Sequence, residues 1–244
     1  MSYRIFWIDF WRGIAMLAMI IFHAAFDLTF FKMVNFDMRQ GIWIILARFV
    51  QLTFIITTGM TMVLAFQKRN KVPEVWIRWA LRHAIILMGW GMVITFITWI
   101  FFSDQAVKFG VLHFYAVASI LSLSLLRLKY WNSVLGLFII LFSTFISQVP
   151  VTSEWLLPVG FLQIDFSSFD YFPLFPWFGV FLQGVAFGFW FYDQKWREFL
   201  AFGSRIPLKV RHIFEFLGRR CLLIYLIHQP LLVGILWLWR MLVN

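Results

Sequence analysis

An all-α, polytopic membrane bundle of about seven transmembrane helices, with its N-terminus in the cytoplasm, is the fold class the sequence predicts, and three observations predict it. Of the 244 residues, 62% are apolar, 21% aromatic and only 13% charged, with a mean hydropathy of +0.84; a soluble domain is roughly half apolar and about a quarter charged. Polar surface is too scarce to cover such a core, so lipid replaces water around most of it. The apolar residues fall into runs long enough to cross a bilayer, at about 13–31, 42–66, 84–102, 111–126, 131–149, 172–191 and 221–239. The cations lie between those runs and are unequally shared by the two sides.

The charge count sets the orientation. Twenty-one Lys and Arg against eleven Asp and Glu give a net charge of +10, and their placement in connections points to topology and anionic partners, not to nucleic acid. One side carries Arg4, Arg12, Lys68, Arg69, Lys71, Arg78, Arg82, Arg127, Lys129, Lys195, Arg197, Arg205, Lys209, Arg211, Arg219 and Arg220; the other carries Lys32, Arg39, Lys108 and Arg240. Cationic loops resist translocation, so the richer side is inside. A single domain over residues 1–244 follows, without internal repeats.

Along the chain, the two arginines ahead of the first run and the lack of a small-residue cleavage site predict an uncleaved first span. That span holds His23 and Asp27, which at spacing i, i+4 share one helix face. His23 lies about 12 Å from the outer end at 1.5 Å per residue, near mid-membrane. Arg48, in the second span, lies about 10 Å deep at a level between them. An Asp27–Arg48 ion pair is the simplest way to bury both charges. The loop QKRNKVPEVWIRWALRH at 67–83 is either a topology anchor or a cradle for the phosphates of a cytosolic donor. His113 opens the fourth span.

Residues 150–171 carry Glu154, Asp165 and Asp170 and no base, and are expected outside. Within them, 155–164 is too short to span, but long enough to dip into the surface as a re-entrant or interfacial segment. The basic stretch 195–220 returns the chain to the inside, and the last span holds His228 about 10 Å from its inner end. Cys221, the single cysteine, excludes an internal disulfide and reads as packing. Trp7, Trp11, Trp76, Trp79, Trp131 and Trp237 read as interface anchors.

Ionisable residues are costly in hydrocarbon, which makes these few informative. A membrane histidine can simply hydrogen-bond a neighbouring helix, and Asp27 with Arg48 can be a structural pair. For His23 a carboxylate one turn away offers more, since it would fix the ring's tautomer and raise its basicity. His23, His113 and His228 suffice in number for a metal but have no close ligand spacing, so no metal is expected. Composition and spacing thus lead to an intramembrane proton-handling site, suited either to transfer of a group from a phosphorylated carrier or to transport.

Four segments carry a resemblance: RIFWIDFWRGIAMLAMIIFH at 4–23, GVLHFYA at 110–116, DYFPLFPWFGVFLQG at 170–184 and GRRCLLIYLIHQP at 218–230. In order along the chain they resemble a bacterial membrane family related to the catalytic region of heparan-α-glucosaminide N-acetyltransferase. The opening R-x-x-x-x-D-x-x-R-G and the closing Y-L-x-H-x-P are also similar to the wider acyltransferase-3 group. The resemblance implies an acyltransferase of the bacterial inner membrane. It would take an acetyl or similar group from cytosolic acetyl-CoA or another acyl-CoA, without a metal, and pass it to an extracytoplasmic acceptor, commonly a sugar. It implies catalytic roles for His23, His113 and His228 and places Asp9 and Arg12 in the motif near the cytosolic face. From the residues themselves, Asp27 and Arg48 are expected to set the pKa and orientation of His23, and Arg12, Arg78 or Arg82 to contact the donor's phosphates. Membrane lipids are partners, and a homodimer is one arrangement open to such a bundle. Two departures stand out: residues 24–47 contain no counterpart of the lumenal histidine of the eukaryotic enzyme, and the relatives have ten or more spans.

Two other classes remain open. A small-anion carrier would bind substrate at Arg48 and move a proton through His23 and Asp27, yet the paired repeats and broken helices common in carriers are absent from the sequence. A scaffolding subunit would leave the polar residues unexplained.

Overall fold

The computed structural model describes residues 6–69, 72–146, 149, 151, 153–194 and 207–243. These form helices α1 (Phe6–Phe30), α2 (Gly41–Lys68), α3 (Pro73–Phe101), α4 (Val111–Leu125), α5 (Trp131–Ile146), α6 (Leu174–Gln194), α7 (Leu208–Arg219) and α8 (Cys221–Val243), with no strand among the described residues. Six helices are long and apolar enough to cross a membrane, and α5, of 16 residues, is the shorter seventh. At about 24 Å it falls just short of a typical hydrocarbon core. The all-α, roughly seven-span class is therefore the observed one. Helices α1 and α3 begin earlier than the hydropathy runs because helical backbone continues into the flanking polar residues; in α3 it starts at Pro73, whose fixed φ suits a first turn.

The chain forms two compact units, residues 58–194 and residues 1–57 with 195–244. In the first, α3 packs on α4 and α5 on α6. Without an apolar driving force between helices in lipid, close backbone approach and interhelical hydrogen bonds do the joining. Gly136 and Gly179 face each other, and a Cβ at Gly136 would lie 2.6 Å from the Gly179 carbonyl oxygen. Beside them Ser133 Oγ donates to Gln183 Oε1 (2.7 Å), and Gln183 Nε2 donates to the Ser133 carbonyl (2.8 Å). The double change Ser133→Ala, Gln183→Leu removes both bonds and is expected to lower unfolding free energy by about 1 kcal/mol, measured by detergent titration.

Among its described residues, the segment 150–171 forms no α-helix. A 3₁₀ turn, Glu154–Leu156, is followed by irregular chain that buries Leu157 and leaves Trp155 and Ile164 exposed. Its backbone is satisfied locally: Val151 N–H bonds the Leu162 carbonyl, and Leu174 N–H the Pro158 carbonyl. The Tyr171 hydroxyl donates to the Leu157 carbonyl (2.7 Å), and burial pushes that phenol up to about 12. Lys108 pairs with Glu154.

The second unit joins the two ends of the chain, with α7 and α8 against α1. Helix α7 falls within the stretch read from sequence as a basic connection. Its polar residues Arg211, Glu215 and Arg219 recur at i, i+4 and i+8, on the side where Gly218 meets α1. Leu208, Val210, Ile213 and Phe216 are exposed. The amphipathicity is thus inverted relative to a water-facing helix, as suits an apolar face turned to lipid. Gly13 abuts the Phe214 backbone and Gly218 the Asp9 backbone.

Two tryptophans depart from the interface reading. Trp7 and Trp76 are buried, Trp76 stacking on Trp79 with ring centroids 5.1 Å apart, whereas Trp131 and Trp237 are exposed as anchors should be.

Candidate functional site

Helix periodicity turns His23 and Asp27 to one side of α1, and the Y-L-I-H-Q-P segment of α8 meets them there. The His23 and His228 rings lie edge to face with centroids 4.9 Å apart. One helical turn further along α1, Gln229 Nε2 donates to Asp27 Oδ1 at 2.7 Å. Residues 228 and 229 point about 100° apart on α8, so one helix supplies an imidazole to the histidine level and an amide to the carboxylate level. Three residues expected at the site from sequence, His23, Asp27 and His228, are therefore neighbours. Gln229 is the fourth and was not expected; its signal is a second polar side chain beside the histidine in an apolar span.

The tautomers follow from the contacts. His23 Nδ1 lies 2.9 Å from the Met19 carbonyl and His228 Nδ1 2.6 Å from the Tyr225 carbonyl. A carbonyl only accepts, so each Nδ1 carries the hydrogen and donates it, and each neutral ring keeps its lone pair on Nε2. His228 Nε2, Asp27 Oδ2 and Gln229 Oε1 are buried without a hydrogen-bond partner. Asp27 is 3% exposed and His228 8%, whereas His23 is only partly buried. Buried polar atoms in proteins are nearly always paired, so this many open acceptors in one place is what a site built for a donor-bearing ligand presents.

The Asp27–Arg48 ion pair is not formed. Asp27 takes the neutral amide of Gln229, and the exposed Arg48 donates from Nη1 to Gln51 Oε1 at 3.0 Å, on its own helix. An amide satisfies a carboxylate oxygen without bringing a second full charge into the membrane.

At the end of α1 that the charge count assigns to the inside, Asp9 lies 3.6 Å from Arg219 Nε, and Glu215 accepts from both Arg219 Nη2 (2.8 Å) and Arg211 Nε (2.9 Å). Arg211 also stacks over Phe6, 4.4 Å from the ring centroid. Arg12 Nε donates to Thr57 Oγ1 at 3.1 Å. This network stands about 21 Å along α1 from His23, fourteen residues at 1.5 Å each.

His113, Arg78 and Arg82 belong to the other unit. Both arginines are exposed on α3. His113 is buried, and its Nδ1 accepts from the Gly110 N–H at 3.3 Å while Asp170 Oδ2 accepts from the Val111 N–H at 2.9 Å; the two side chains cap the first turn of α4. Here the hydrogen sits on Nε2, which has no hydrogen-bond partner. Gly91 makes room for the ring: a Cβ there would stand 2.9 Å from His113 Cε1. Gly91→Val is therefore expected to expel the imidazole and lower stability by about 1–3 kcal/mol, read as a drop in melting temperature.

A family model described as heparan-alpha-glucosaminide N-acetyltransferase, catalytic, matches residues 4–230. Searches of the curated proteins and of the solved structures returned no match.

Proposed function

The chain belongs to the catalytic family of heparan-alpha-glucosaminide N-acetyltransferase, and from that premise we propose that it carries an acetyl or similar acyl group from cytosolic acyl-CoA to a hydroxyl or amine, commonly of a sugar, at the outer face of the bacterial cytoplasmic membrane. The observation that carries this reading is the His23–His228 pair, with both Nδ1 atoms tied to backbone and both lone pairs left on Nε2 beside Asp27 and Gln229.

In the proposed reaction His23 Nε2 takes the proton of the acceptor as its oxygen or nitrogen attacks the thioester carbonyl. The carbon–sulfur bond breaks, the electron pair leaves on sulfur, and the imidazolium returns its proton to the thiolate. His228 shares the proton across the ring contact. Asp27 Oδ2 and Gln229 Oε1 receive hydrogen bonds from the acceptor and hold it for attack. His113 presents its Nε2–H to substrate in its own unit. Arg12 in one unit, or Arg78 and Arg82 in the other, meet the donor's phosphates, Asp9 acts by holding Arg219, and Arg48 is left a supporting residue. The family match runs through both compact units, which favours one working domain over residues 1–244.

The test is release of free thiol from acetyl-CoA by purified protein in detergent, with a panel of sugar acceptors. Acceptor-dependent release, retained in Lys195→Ala, is the expected result. No release, together with proton-coupled anion uptake in liposomes, would establish the carrier instead.

A further inference from the structure

We infer that Arg211 and Arg219, set by Glu215 and Asp9, form a binding site for a phosphate or diphosphate group at the inner face. The inference starts from Glu215, a carboxylate only 8% exposed, at the centre of a helix face. It accepts from Arg211 through Nε alone, leaving both Nη atoms of that guanidinium uncommitted. Arg219 spends Nη2 on Glu215 and turns Nε to Asp9, leaving Nη1. Phe6 backs the Arg211 plane. Neither arginine can swing freely, yet both side chains remain partly open, at 34% and 48% exposure.

A guanidinium fixed on one edge by a carboxylate is preorganised to take an anion on the other, and two of them on one helix face suit the several oxygens of a phosphate. Lys209 near the start of α7 and Arg220 just beyond its end are exposed and add positive charge around the helix. Two carboxylates match the two arginines in charge but occupy only part of their N–H donors, and the rest face outward from partly open side chains. Two sources offer the chemistry. One is the phosphates of the acyl-CoA donor, which rests on the function proposed above; the other is the headgroup of an anionic lipid.

The test uses the full chain in nanodiscs and two probes, CoA and phosphatidylglycerol. The variants are Glu215→Gln, which keeps both arginines but releases them, and the double change Arg211→Ala, Arg219→Ala, with monodispersity and unfolding midpoint checked for each. The expected result is CoA binding weakened by at least tenfold in the double variant and by a smaller factor in Glu215→Gln, each more salt-sensitive in the wild type than in the variants. If the wild type does not bind CoA but enriches phosphatidylglycerol from mixed nanodiscs in an arginine-dependent way, the phosphate site stands and the acyl-CoA reading falls. If CoA binds with equal affinity to wild type and variants and no lipid enrichment depends on the arginines, the site is overturned while the donor reading survives. Loss of the folded state in the double variant leaves Glu215→Gln to decide, since unchanged CoA affinity and lipid enrichment there overturn the preorganised site.

Discussion

His23→Ala is expected to cut acceptor-dependent thiol release by two to three orders of magnitude, within the range for loss of a positioned general base. His228→Ala should fall nearly as far, because its ring touches that of His23 and carries the neighbouring open Nε2. Residues that act as a unit are not additive, so the double variant should be scarcely slower than either single one. Independent effects that multiply would show that the rings do separate jobs. Asp27→Asn tests the remainder of the cluster. It keeps the shape, but turns an open acceptor into an amide facing another amide, so a larger effect on acceptor KM than on kcat is expected if Asp27 holds the acceptor.

The second large effect is structural. In Gly218→Val the new Cβ would lie 2.6 Å from the Asp9 carbonyl carbon and 2.8 Å from its Cα, and backbone cannot rotate out of the way. Helix α7 must then leave α1, parting Asp9 from Arg219, while the Glu215 pairs, internal to α7, are kept. Forcing a side chain into so close a backbone contact costs about 1–3 kcal/mol, so a drop in folded yield and in the unfolding midpoint is expected. Gly13→Val, which meets the Phe214 backbone with its carbon atoms at 2.9 Å, should behave alike. Gly234→Ala is the control. Nothing lies within 4 Å of its added methyl, and helix propensity gains up to about 1 kcal/mol. Equal tolerance at positions 13, 218 and 234 would refute the close α1–α7 contact.

Much of the architecture was legible because lipid imposes simple rules. Apolar runs of fixed length located the spanning helices, and the spacing of His23 and Asp27 put both on one face. What could not be read was which helix meets that face. Arg48 looked the natural partner of Asp27 because the second span is next in sequence and opposite in charge; Gln229, some two hundred residues away, holds the place. Helix α7 escaped for another reason. Its average hydropathy is that of a loop, and its charges make sense as a helix only when their four-residue spacing is read against the glycines that seat it. Leu157 was equally hidden, since burial within an irregular segment leaves no periodic trace.

The pairing of α1 with α7 and α8 has a consequence for biogenesis. While the ribosome is still making the middle of the protein, the face of α1 bearing Asp9, His23 and Asp27 has none of the partners that α7 and α8 will bring. Only when residues 208 onward emerge can Arg219, His228 and Gln229 reach those polar groups. The nascent polypeptide therefore carries a built-in signal of incompleteness, and products halted before position 208 should be favoured substrates for membrane quality-control proteolysis, with half-lives shorter than that of the finished chain in a pulse-chase comparison.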